Sequence, residues 1–160
     1  MPDSLNDDRN ASTDVLSILS PAEVAALGGL PRDAIVGVFR DEAGTLDRFL
    51  ANPEFLDYLH EFIRTAGPND LELRQAAALQ VSGWVYLIDL RTPEGPTGNV
   101  PPEDIIGAFE VAEGKLVEAS YWANEDYQAF TRAGPIQLPP GLRREFFSVL
   151  KRTYPSGVSQ

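Results

Sequence analysis

The sequence predicts a domain of the α+β class, in which an antiparallel meander of three to four strands over about residues 83–122 packs against N-terminal and C-terminal helices. Three observations carry this expectation. Residues 83–91 (GWVYLIDLR) are dense in aromatic and β-branched side chains and bounded by turn formers. Glu113-Gly114 joins two further strand-like runs and suits a two-residue hairpin turn, because Gly accepts the positive φ such turns require. Helical periodicity with capping signals lies on either side of that region.

The elements follow in order. Residues 1–14 (MPDSLNDDRNASTD) are polar and aperiodic, and are expected to form a disordered tail; residues 15–154 form the single domain, and 155–160 a second tail. Ser20-Pro21-Ala22-Glu23 is a capping box with proline at the first helical position, and Gly28-Gly29 stops that short helix. Residues 33–39 (DAIVGVF) fit either a strand, the fourth of the meander, or a buried helical turn. Asn52-Pro53-Glu54 opens a helix to about Thr65, in which Phe55, Leu59, Phe62 and Ile63 share one face and Gly67-Pro68 is the stop. Asn69 is placed to cap a further helix from Asp70 to about Gln80.

In the strand at 83–91, alternation puts Trp84, Tyr86, Ile88 and Leu90 on one face and Val85, Leu87 and Asp89 on the other. A Pro- and Gly-rich loop, residues 92–102, follows. The runs Asp104–Val111 and Lys115–Trp122 then meet at the Glu113-Gly114 turn, which pairs Val111 with Leu116, Phe109 with Glu118 and Ile105 with Trp122. Asn124 is placed to cap a short helix through Thr131, closed by Gly134-Pro135. The last helix, Leu142 to about Tyr154, buries Leu142, Phe146, Val149 and Leu150 and turns Arg143, Arg144, Lys151 and Arg152 to water.

Composition bears on function mainly by exclusion. Without cysteine there is no disulfide, thiolate nucleophile or zinc–thiolate site. No apolar run approaches the roughly 18 residues that would span a bilayer. The first residues lack the basic and apolar regions of an export signal, so a cytoplasmic location is expected. A net charge of −11 argues against nucleic acid as a partner, because affinity for phosphates comes mainly from Lys and Arg. The charge is also unevenly spread. Residues 92–131 carry Glu94, Glu103, Asp104, Glu110, Glu113, Glu118, Glu125 and Asp126 against Lys115, while residues 132–160 carry Arg132, Arg143, Arg144, Lys151 and Arg152 against Glu145. Such a separation fits oriented association with a charged partner, or neutralisation of one segment by the other within the fold.

His60 is the single histidine, which excludes a two-histidine metal site. With no Gly-x-Ser-x-Gly elbow to present a serine, it reads as an ordinary mid-helix residue at the surface or at the edge of the core. Asp89 and Glu110 would make an acid/base pair if they shared a sheet face and their environments parted their pKa values. No Asp-x-Asp-x-Asp-Gly pattern supports a metal, and neither a metal nor a cofactor is expected. The 92–102 loop lacks Gly-Lys-Ser/Thr, so its role is that of a contact loop and not a phosphate cradle.

The expected function is therefore a non-enzymatic protein-interaction module, of the inhibitor, immunity or adaptor kind. Glu110, Glu118, Tyr121, Trp122, Glu125, Asp126 and Tyr127 would face a basic protein partner. The alternatives are a small carboxylate-dependent hydrolase or isomerase using Asp89 and Glu110, and a binder of a small apolar ligand.

Overall fold

The computed structural model describes residues 14–39, 49–92 and 100–154. Residues 1–13 and 155–160 of the expected tails and most of the 92–102 loop lie outside the described residues. Two antiparallel sheets and a small hairpin are joined by four α-helices among the described residues. The first sheet, in the order β1-β2-β3, comprises β1 (Asp14–Ser17), β2 (Ile35–Phe39) and β3 (Phe49–Ala51). The second comprises β4 (Gly83–Ile88), β5 (Ile105–Ala112), β6 (Lys115–Leu116) and β7 (Trp122–Ala123), with β5 between β4 and the two short strands. β8 (Phe130–Thr131) and β9 (Gly134–Pro135) form the hairpin. The helices are α1 (Pro21–Leu27), α2 (Pro53–Ala66), α3 (Leu71–Gln80) and α4 (Pro140–Thr153).

The α+β class is thus as the sequence predicts. Residues 35–39 do form a strand, but it pairs with β1 and β3 and not with the meander. β1 carries no strand signal of its own. It is four residues long, half exposed, and begins at the end of the polar stretch expected as tail.

The helix starts follow local chemistry. Ser20 Oγ accepts from the Glu23 amide at 3.1 Å while the Glu23 carboxylate accepts from the Ser20 amide at 2.8 Å, so two otherwise orphaned donors are satisfied. At α2 the Asn52 side chain accepts from the Glu54 amide. Phe55, Leu59, Phe62 and Ile63 are buried, and the rings of Phe55, Tyr58 and Phe62 surround Phe146 of α4 at centroid separations of 6.3, 5.6 and 5.2 Å. The cap of α3 is Asp70, whose carboxylate accepts from the Leu73 amide; Asn69 instead ends a 3-10 turn, Gly67–Asn69. The buried stripe of α4 is Leu142, Phe146 and Leu150. Arg143 departs from the expectation that it faces water. It is half-buried, donates to both Glu23 carboxylate oxygens and the Ile18 carbonyl, and so ties α4 to α1.

Between α3 and β4 the chain makes a strained turn. Val81 has φ 74° and ψ −42°, and the Ser82 amide donates to the Gln80 carbonyl at 2.8 Å, a γ-turn of the rare positive-φ form. A β-branched residue is a poor occupant of that region. The turn aims the Val81 carbonyl at the Gly114 amide, 2.9 Å away, and so fixes the tip of the next hairpin to the end of α3.

That hairpin turns at Glu113 (φ 53°) and Gly114 (φ 77°) and pairs Val111 with Leu116, as the sequence predicts. Beyond it the register differs. Trp122 pairs with Ala108 and not with Ile105, and the Phe109–Glu118 pair does not form, because a 3-10 turn, Glu118–Ser120, stands out from the ladder. Ser120 Oγ replaces the missing ladder bonds by accepting from the Glu110 amide and donating to the Val117 carbonyl. The bulge also lets the Tyr121 ring enter the core, 5.0 Å from the Phe109 ring.

The helix expected at 124–131 is absent. Asn124 instead donates both side-chain hydrogens to the Pro102 and Ile105 carbonyls, each at 2.8 Å, and accepts from the Asp126 amide. Phe130 on β8 then packs against Phe39 and Phe49 of the first sheet. One hydrophobic cluster runs through both sheets and all four helices.

Candidate interaction surface

The second sheet has two unlike faces. Val85 and Leu87 of β4, and Phe109 and Val111 of β5, point into the core and are buried. The opposite face carries Trp84, Tyr86, Ala108, Glu110 and Trp122. Register fixes the array: Trp84 lies opposite Glu110, and Tyr86, Ala108 and Trp122 form one row across β4, β5 and β7. Neighbours in such a row have Cβ atoms roughly 5 Å apart. Trp84, Tyr86 and Trp122 are 42%, 53% and 45% exposed, whereas Ala108 between the last two is fully covered without joining the core cluster. Ala108 thus lies between two exposed rings with no exposed surface of its own.

Beside this face, β4 and the start of α3 border a groove of about 280 Å³, which shares Tyr86 and Leu90 with the exposed surface and has Asp70 and Glu72 at its margin. Leu90 is itself 47% exposed. Glu110, Glu118, Glu125 and Asp126 are exposed, and none has an ion-pair partner among the described residues. Among the described residues no cation of α4 forms an ion pair with these carboxylates. Arg143 pairs with Glu23 and Arg152 with Glu145.

Of the seven residues expected to form the binding face, five are exposed and two are not. Tyr121 is buried against Phe109 and shares a 2.7 Å hydrogen bond with His60 Nδ1. Burial holds the His60 imidazole below its ordinary pKa, with Arg64 acting in the same direction, and pushes the Tyr121 phenol above its own. A phenol so shifted is no activated nucleophile; the pair joins α2 to the bulge. Tyr127 is also buried, and its hydroxyl donates to Asp89 at 2.7 Å.

Asp89 and Glu110 do not meet. Asp89 points to the core side, fully enclosed, while Glu110 is exposed on the outer face, opposite Trp84 and so about 16 Å along the strand from Asp89. Alternation puts Asp89 on the same face as Val85 and Leu87, and the neighbouring Arg91 is a partner the sequence offers; Tyr127 and the Gln137 amide are not foreshadowed there. Asp89 accepts from Tyr127 Oη and from the amides of Arg91 and Gln137, each of the latter at 3.0 Å, and lies 3.6 Å from the Arg91 guanidinium. Arg91 also donates to Asp104 at 2.9 Å and to the carbonyls of Glu103, Gln128 and Gly134. Burial pushes the Asp89 carboxyl above the usual carboxylate range, against the pull of these donors. The cluster is internally satisfied and closes the end of the sheet over the 124–137 segment. Its geometry is that of a polar clasp.

No family model, curated protein or solved structure matches the chain.

Two further features bear on ligands. Among the described residues no group of His, Cys, Asp or Glu side chains is arranged to hold a metal ion, and no helix is long and apolar enough to cross a membrane. Between α2 and α4 lies a second groove of about 350 Å³, with Phe62, Ala66 and Val149 in its lining. The Tyr58 hydroxyl at its edge is buried without a hydrogen-bond partner among the described residues.

Proposed function

We propose that this protein is a non-enzymatic interaction module that engages a basic protein partner through the outer face of its second sheet. The observation that carries the reading is the placement of both tryptophans of the chain, with Tyr86 and a Glu110 that has no ion-pair partner among the described residues, on one exposed sheet face. Aromatic side chains in such numbers stand in water at a cost unless a partner covers them, and they are enriched among interface anchors. The carboxylates around them select the sign of the partner's charge.

The test compares the immobilised wild-type chain with the double variant Trp122→Ser/Glu110→Gln. Purified basic proteins are offered at low and high salt, with acidic proteins of similar size as controls. Retention of basic proteins at low salt, lost at high salt and lost in the variant, supports the reading. Equal retention by wild type and variant, or no preference between basic and acidic proteins, refutes it.

A second reading, binding of a small apolar ligand, is favoured by the α2–α4 groove, which has the Tyr58 hydroxyl at its edge. Native mass spectrometry of the freshly purified protein tests it, by the presence or absence of a bound mass that Tyr58→Phe reduces.

A further inference from the structure

We propose that the outer face of the second sheet is specific for arginine side chains on an extended segment of the partner. This rests on the reading of a basic partner and narrows its chemistry. Tyr86 and Trp122 stand on either side of the covered Ala108 methyl, and Trp84 extends the aromatic surface along β4. Glu110 lies opposite Trp84 and diagonal to both Tyr86 and Trp122, so one carboxylate borders three rings.

Among the described residues no cation lies over the π-faces of these rings; the cation–π contacts there use Tyr121, Tyr127 and Phe147. Rings beside a single carboxylate match a planar, weakly hydrated cation that stacks on an aromatic face while donating at its edge. A guanidinium meets that description, whereas an ammonium is a compact and strongly hydrated point charge. The adjoining groove along β4, with Leu90 and Pro139 in its lining and Asp70 and Glu72 at its margin, continues the surface for neighbouring residues of an extended segment.

The test uses the two tryptophans as reporters, since both lie on this face. Their fluorescence is followed as blocked glycine–serine peptides are added, carrying arginine, lysine or the neutral isostere citrulline at alternate positions. Arginine is expected to bind about tenfold more tightly than citrulline and several-fold more tightly than lysine. Glu110→Gln, a change on an exposed side chain, is expected to weaken the arginine peptide about fivefold to tenfold, and Trp122→Leu to abolish the difference between arginine and lysine. Circular dichroism confirms that each variant is folded.

If the arginine and lysine peptides bind equally and with the same salt dependence, the basic-partner reading stands and the arginine specificity falls. If no cationic peptide binds at low salt, both fall. A fluorescence change that tracks protein concentration without peptide, with a doubled mass in light scattering, makes a second copy of this chain the occupant and overturns the proposal. So does equal binding of the citrulline peptide.

Discussion

Replacing Arg91 with methionine tests the account of the fold most severely. The guanidinium has no exposed side-chain surface and holds two carboxylates, Asp104 at 2.9 Å and Asp89 at 3.6 Å, together with three backbone carbonyls. Methionine fills much of the volume but donates nothing. Breaking a buried ion pair by removing one partner costs about 3–5 kcal/mol, because the charge left behind is neither hydrated nor paired. At about 2–4 °C per kcal/mol for a chain of this size, the midpoint of thermal unfolding should fall by roughly 6–20 °C. Acid should reduce the deficit. The Asp89 carboxyl is already raised by burial, and loss of the cation raises it further. The folded state then binds protons more tightly than the unfolded one, so the variant loses stability as pH rises through the window above the ordinary Asp value and regains it below. Urea unfolding of wild type and variant near neutral pH and near pH 4, about the ordinary Asp value, gives the comparison. A deficit under about 1 kcal/mol, or one that does not shrink in acid, would show that the cluster is not the clasp described.

Other expectations follow from single residues. Val81→Gly should stabilise the chain by about 1 kcal/mol in chemical denaturation, since it relieves a β-branched residue of its positive φ; a loss of stability would mean that the side chain contributes more than the strain costs. Gly107→Ala should destabilise by about 1–3 kcal/mol, because the new Cβ would sit 2.5 Å from both the Trp122 carbonyl and the Tyr121 hydroxyl, and the shift should appear as a changed Tyr121 environment in near-ultraviolet dichroism. His60 is held neutral by burial, so its contribution is present above its ordinary pKa and is lost as pH falls through its lowered folded value. His60→Gln should therefore lose less stability than wild type between about pH 7 and pH 5, and the single imidazole resonance in NMR should titrate below the free-histidine range.

Much of this fold was legible in the sequence because local signals dominate it. The capping box at Ser20, the apolar stripe of α2 and the Glu113-Gly114 turn each act within a few residues, and each forms as the pattern dictates. The misread elements depend on contacts distant in sequence. Asn124 resembles a helix cap, and its Oδ1 does accept from the Asp126 amide, but its Nδ2 is tied to the Pro102 and Ile105 carbonyls and no helix follows. The register beyond Leu116 turns on one serine hydroxyl and on the room for Tyr121 above Gly107. The candidate site divides in the same way. Alternation gathers Trp84 and Tyr86 on one face of β4, but whether that face is inside or outside depends on the rest of the fold. Charge patterning marked the acidic hairpin; it gave no sign that Tyr121 and Tyr127 are consumed by His60 and Asp89.

The most direct test of the central claim is the fluorine NMR spectrum of the protein labelled with 5-fluorotryptophan, recorded as an arginine-bearing peptide is added at low salt. Trp84 and Trp122 supply the two resonances. If the outer face of the second sheet is the binding surface, both shift in a saturable manner and return when salt is raised. If peptide binds, as judged by calorimetry, and both resonances stay in place, the surface lies elsewhere and the account of this face is wrong.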